Sequence, residues 1–93
     1  MLRDIQTKAE KINNKSDTLR WGSCLDSDTL VLVCGHPSVK SLSGHVLYFI
    51  ATEKEGKVTI RAEFEGEVVS SIHVLVAAQA VDFILKNLKE VLQ

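Results

Sequence analysis

Cysteine is scarce in this chain of 93 residues, which contains only Cys24 and Cys34. A small fold held together by disulfides needs several cysteine pairs, so the sequence does not indicate a disulfide framework. The hairpin register predicted below places Cys34 opposite Trp21 rather than opposite Cys24. We therefore expect both cysteines to be free thiols.

An excess of either charge is also missing. The chain has 11 Lys and Arg residues against 12 Asp and Glu residues, for a net charge of -1. A surface that captures nucleic acid or an anionic membrane through electrostatic attraction needs a basic excess. We therefore expect no nucleic-acid partner and no membrane partner.

The chain has no long apolar run. Its longest uninterrupted run, from Val46 to Ala51, is far shorter than the roughly 20 residues that a spanning helix needs. The first residues, Met1-Leu2-Arg3-Asp4, lack the apolar core of a signal peptide. These features predict a cytoplasmic protein.

The stretch from Leu47 to Phe64 is the most informative part of what is present, because it predicts a β-hairpin. If Glu55-Gly56 forms the turn, both arms place their apolar residues on one face. That face holds Leu47, Phe49, Ala51, Val58, Ile60, Ala62 and Phe64. We expect it to face the core.

A second hairpin is predicted from Thr18 to Gly35. A turn centred on Ser27-Asp28 pairs Cys24 with Val31 and Trp21 with Cys34. This register gathers a second apolar set on one face: Leu19, Trp21, Leu25, Leu30, Leu32 and Cys34.

Helical spacing appears at both ends of the chain. Near the N-terminus it joins Leu2, Ile5, Ala9 and Ile12, and near the C-terminus it joins Ala77, Val81, Ile84, Leu85, Leu88 and Val91. Ser70 or Ser71 could cap the second helix, and His73 would then lie near its start. The β-branched stretch from Val68 to Val76 is also compatible with a fifth strand followed by a helix from Ala77. We favour a helix that begins near Ser71.

These elements predict a single α+β domain over residues 1–93. A chain of this length is too short for two domains. Short connections between the strands favour a four-stranded, mainly antiparallel meander sheet, flanked by an N-terminal and a C-terminal helix.

The second face of this sheet carries the predicted partner-binding residues. It is more apolar than a solvated strand face should be, so either the N-terminal helix or a partner covers it. The residues on this face are Val31, Val33, Val46, Tyr48, Ile50, Arg61 and Glu63.

The function that this pattern favours is that of a small, non-enzymatic protein-interaction module. Secretion chaperones, immunity or inhibitor proteins and assembly subunits are small intracellular chains of this kind. The apolar outer positions and the narrow seam of the first helix predict a homodimer. No family resemblance is carried by these residues.

The alternative function is a small-ligand or metal-binding domain, or a minor enzyme, that uses the loop from Gly35 to His45. This loop carries His36, Lys40 and His45. Its Gly-x4-Lys-Ser pattern lacks the second glycine of a phosphate loop and precedes a strand, where a phosphate site needs a helix. The spacing of its histidines from Cys24 and Cys34 matches no common zinc motif. We therefore expect no catalytic residue, no cofactor and no metal.

Overall fold

The computed structural model describes residues 1–14, 20–35 and 46–92, with no side-chain description for residues 13, 14, 20, 21, 35, 46, 91 and 92. The elements are α1 (Leu2–Asn14), β1 (Arg20–Asp26), β2 (Thr29–Gly35), β3 (Val46–Lys54), β4 (Lys57–Phe64), β5 (Glu67–Val74) and α2 (Ala77–Leu92). The predicted α+β fold with a helix at each end is confirmed. The sheet has five strands, whereas four were predicted.

The sheet is an antiparallel meander in the order β1-β2-β3-β4-β5. Cys24 pairs with Val31 and Trp21 with Cys34, as the Ser27-Asp28 turn predicts. Lys54 pairs with Lys57, so the turn at Glu55-Gly56 is also confirmed. Because directly paired residues share a face, these registers fix which side of the sheet each residue occupies.

The last two hairpins use the same turn. Glu55 and Gly56 have φ angles of 55° and 75°, and Glu65 and Gly66 have φ angles of 54° and 83°. A two-residue hairpin loop with positive φ at both positions is a type I′ turn, whose twist matches that of the flanking strands. The Glu65-Gly66 turn leads the chain into β5, the strand that the favoured interpretation missed.

The predicted start of the second helix was wrong. Ser71 and His73 belong to β5, and α2 begins at Ala77. The Gln79 Oε1 atom accepts hydrogen bonds from the backbone N–H groups of Leu75, at 2.7 Å, and Val76, at 3.3 Å. The helix is thus capped by a side chain from its own first turn, which satisfies backbone donors ahead of Ala77.

The core lies between one face of the sheet and the helices. The buried strand residues are Leu30, Leu32, Cys34, Leu47, Phe49, Ala51, Val58, Ile60, Ala62 and Val74. Leu25 and Phe64 are partly buried against them. The Phe49 ring meets the Phe83 ring of α2 edge to face, with centroids 6.1 Å apart. The apolar face predicted from the two hairpins is therefore the core face for these residues, while the predicted members Leu19 and Trp21 have side chains outside the described part of the structure.

The side of α2 that packs on the sheet differs from the predicted one. Its buried residues are Ala80, Phe83, Ile84, Asn87 and Leu88, whereas Leu85 is 45% exposed. The Asn87 amide is accommodated because its Nδ2 donates a hydrogen bond to the Phe83 carbonyl oxygen at 2.8 Å. The buried stripe is thus rotated away from Leu85.

Helix α1 packs on the same face of the sheet as α2. Its Leu2, Ile5 and Ala9 belong to the same buried cluster as the strand residues. It also contacts β1, where Gln6 Nε2 donates to Ser23 Oγ at 3.2 Å. Ser23 pairs with the buried Leu32 and therefore lies on the core face. The sequence left two possibilities for what covers the second face of the sheet, the N-terminal helix or a partner. The position of α1 on the core face excludes the helix.

We expect the substitutions Phe49→Ala and Ile60→Ala each to lower the free energy of unfolding by about 2 to 5 kcal/mol, through lost burial and the cavity left behind. Both side chains are fully buried. The exposed Lys54 provides the control, since Lys54→Ala should change stability by less than about 0.5 kcal/mol. Urea denaturation measures all three. Equal midpoints would contradict the proposed core.

We expect Glu65→Asn to stabilise the fold by about 0.5 to 1 kcal/mol, because asparagine tolerates the left-handed backbone better than glutamate does. Gly66→Ala is the opposite variant and should destabilise by about 1 kcal/mol. The space around Gly66 is open, so its effect would come from backbone strain alone. Thermal denaturation tests both, and a lower melting temperature for Glu65→Asn would contradict the type I′ assignment.

Candidate partner-binding face

The face of the sheet that points away from both helices is called the outer face here. Two rows of paired residues cross its centre. One row joins Val33, Tyr48 and Glu63, and the other joins Val31, Ile50 and Arg61. The register therefore brings together six of the seven predicted partner-binding residues on neighbouring strands.

The apolar part of the outer face is open to solvent. Tyr48 is 40% exposed, and Val31, Val33 and Ile50 are half-buried. The helix residues in the core cluster pack on the opposite face, so neither helix covers these residues. The four residues form a contiguous apolar patch across β2 and β3.

A polar strip borders the patch on β4. The Arg61 Nε and Glu63 Oε2 atoms are 3.5 Å apart, with 41% and 28% of the two side chains exposed. Such an exposed ion pair contributes little to stability, because water and salt screen it. It does hold one positive and one negative group beside the apolar patch.

The seventh predicted residue, Val46, has its backbone in β3 opposite Gly35. Its side chain lies outside the described part of the structure. The loop residues His36, Lys40 and His45, on which the alternative function depends, also lie outside the described residues.

Two further residues lie on the outer face beside the predicted partner-binding set. Cys24 pairs with Val31 and is exposed, and Val68 pairs with Glu63 and is 56% exposed. Val68 was missed because the favoured interpretation had no fifth strand before the helix at Ser71. The repeated Glu-Gly dipeptide at positions 55 and 65 was the sequence signal for this third hairpin.

No metal cluster is found in the part of the chain that the structure describes. No group of three or more His, Cys, Asp or Glu side chains there could hold a metal ion. His73 lies opposite Thr59 in the sheet, with its Nδ1 atom 3.3 Å from the Thr59 hydroxyl. This contact joins two neighbouring strands at the end of the outer face.

The two cysteines differ in environment, as the register predicts. Cys34 lies in the core, and burial raises the pKa of its thiol from 9.0 to about 12. It therefore remains a protonated thiol at neutral pH, which disfavours nucleophilic or metal-ligand chemistry. Cys24 is an exposed free cysteine on the outer face.

Across the described ranges, neither helix is both long enough and apolar enough to cross a membrane. Comparison of the chain with protein-family models, with curated proteins and with solved structures gave no match.

We expect a thiol reagent at mildly alkaline pH to label Cys24 in the folded protein and to leave Cys34 unmodified. The reason is that Cys34 is fully buried and its raised pKa keeps the reactive thiolate from forming. Mass spectrometry of the labelled chain before and after unfolding counts the modified sites. Rapid modification of Cys34 in the folded protein would contradict its position in the core.

Proposed function

We propose that this chain is a small, non-enzymatic protein-interaction module that binds a protein partner through its outer face. The observation that carries the proposal is the apolar patch at the centre of that face, which neither helix covers. Because both helices are held on the opposite face by the core, they cannot move over the patch without exposing Leu32, Phe49 and Ile60.

The chemistry of the patch suits a protein partner. Tyrosine supplies a large contact area at low entropic cost and is enriched among residues that dominate binding energy. Burial of apolar surface contributes roughly 25 cal/mol per Å². Tyr48, with the flanking valines and Ile50, therefore forms the centre of the proposed interface.

The borders of the patch complete the pattern of a protein interface. One border is the Arg61–Glu63 pair, and another is a polar row at the end of the sheet. This row consists of Asp26, Thr29, Thr52, Thr59 and His73. An apolar centre within a polar rim is the usual organisation of a protein–protein interface. The polar groups would set the orientation of the partner.

The chain would act in the cytoplasm as a chaperone, an inhibitor or immunity protein, or an assembly subunit. We propose that it does so as a homodimer and without a cofactor. The near-neutral charge supports a protein partner over nucleic acid, since phosphate capture would need a basic surface.

The variant Tyr48→Lys tests this function. It places a charge at the centre of the patch while the exposed position of Tyr48 allows the fold to be retained. The wild-type chain, Tyr48→Lys and the control Lys8→Glu, an exposed position on α1 away from the outer face, are each used to capture proteins from a lysate of the source organism. We expect at least one protein to be retained by wild type and control and lost with Tyr48→Lys.

The captured protein is then titrated against the three chains by calorimetry. We expect Tyr48→Lys to weaken binding by about 2 kcal/mol or more, as for a central hot-spot residue. Equal affinities for all three chains, with equal melting temperatures, would contradict the assignment of binding to the outer face.

A further inference from the structure

The outer edge of β5 is a second surface that the outer face does not include. Within the described ranges, β5 is the last strand of the sheet and pairs on one side only, with β4. An edge strand presents backbone N–H and C=O groups that can pair with another strand. The other edge strand, β1, is tied to α1 by the Gln6–Ser23 hydrogen bond.

A groove of about 380 Å³ runs between β5 and α2. Its apolar part is formed by Ile72 and Phe83, with the small Ser70 beside them. Its polar rim on α2 includes Asp82 and Lys86. A strand added to β5 would therefore point every second side chain into this groove.

We propose that the strand bound at this edge is β5 of a second copy of the chain. The two strands pair antiparallel around a twofold axis at Ser71, and the two sheets join into one continuous sheet. Ser70 then lies opposite Ile72 of the second copy, and Ile72 lies opposite Ser70 of that copy.

The first argument for a second copy is the fit of side-chain size. Ser70 and Ile72 both face the helices, since they pair with the buried Ala62 and Ile60. In the proposed register each small serine lies opposite a large isoleucine. Each Ile72 would thus enter the groove of the other copy beside Ser70 and Phe83.

The second argument is the charge on the rim of the groove. Asp82 and Lys86 lie one turn apart on α2, and both line the groove. The proposed twofold axis at Ser71 makes the two α2 helices of the dimer antiparallel. Asp82 of each copy then faces Lys86 of the other, so the rim is complementary to itself in charge.

The register must also satisfy the bulge in β5. The pairing with β4 shifts between Ala62 and Glu63, which leaves Val69 without a direct partner. Bulges disturb strand pairing locally. An axis at Ser71 keeps the central pairs within the regular segment, with Val69 outside them.

This dimer gives the proposed homodimer an interface separate from the partner-binding face. The outer faces of the two copies would lie side by side on one surface of the joined sheet. The dimer is independent of partner binding, and each surface can be altered without the other.

Cross-linking tests the register in a Cys24→Ser background, which removes the exposed native thiol. Directly opposed residues of an antiparallel pair have Cβ atoms about 5 Å apart, close to disulfide distance. We expect Ser71→Cys to give a covalent dimer on mild oxidation. The control Glu67→Cys should remain monomeric on a non-reducing gel, because its two copies would lie about 26 Å apart.

Charge reversal on α2 tests the helix contact by sedimentation. We expect Asp82→Lys and Lys86→Asp each to weaken dimerisation about tenfold, because like charges then face each other at two symmetric positions. The double variant should restore the wild-type dissociation constant. Tyr48→Lys should leave that constant unchanged, which separates this dimer from binding at the outer face.

Three results would overturn the proposal. A monomeric mass across the micromolar range would show that the β5 edge does not pair with a second copy, and would favour a strand from a different protein as its partner. A dimer that Tyr48→Lys dissociates would place the twofold contact on the outer face. A dimer that cross-links equally through Cys at 67 and 71 would exclude the proposed register.

Discussion

The packing of both helices on a single face of the sheet is the constraint on which the rest of this structure depends. One buried cluster contains Leu2 and Ile5 from α1, Ile84 from α2 and the inward residues of the strands. An apolar helix side chain that packs in this cluster cannot also cover the outer face of the sheet. Among the described residues, this packing leaves the outer face, with Tyr48 at its centre, without a covering helix, and β5 pairs only with β4.

Most of the sheet could be predicted because the turn residues and the alternation of apolar residues indicated the same strand registers. The Ser27-Asp28 and Glu55-Gly56 turns set the registers, and the same registers placed the apolar residues of paired strands on one face. A shift by one residue would have moved Phe49 and Ile60 to the solvent side. The third hairpin obeys the same rules at Glu65-Gly66. It was missed because the Ser70-Ser71 pair after it also fits a capped helix start.

The placement of the helices could not be derived from their own sequences. The apolar seam of α1 would fit either face of the sheet, and only the shared core with α2 decides between them. Helical spacing grouped Leu85 with Ile84, yet Phe83 and Asn87 are buried and Phe83 packs on Phe49 of β3. The Asn87 amide is tolerated because it bonds to the helix backbone, a compensation that no hydropathy pattern contains. For the partner-binding residues the prediction depended on strand parity, which is why the structure places them together.

The central claim is that the outer face is open in the free chain, and the alternation of residues along β2 tests it most directly. A soluble paramagnetic gadolinium chelate enhances the NMR relaxation of methyl groups that solvent can reach. We predict strong enhancement for the methyl groups of Val31 and Val33 and little for those of Leu30 and Leu32, which are almost completely buried. Equal enhancement along the strand, or protection of both valines in the free protein, would contradict the account.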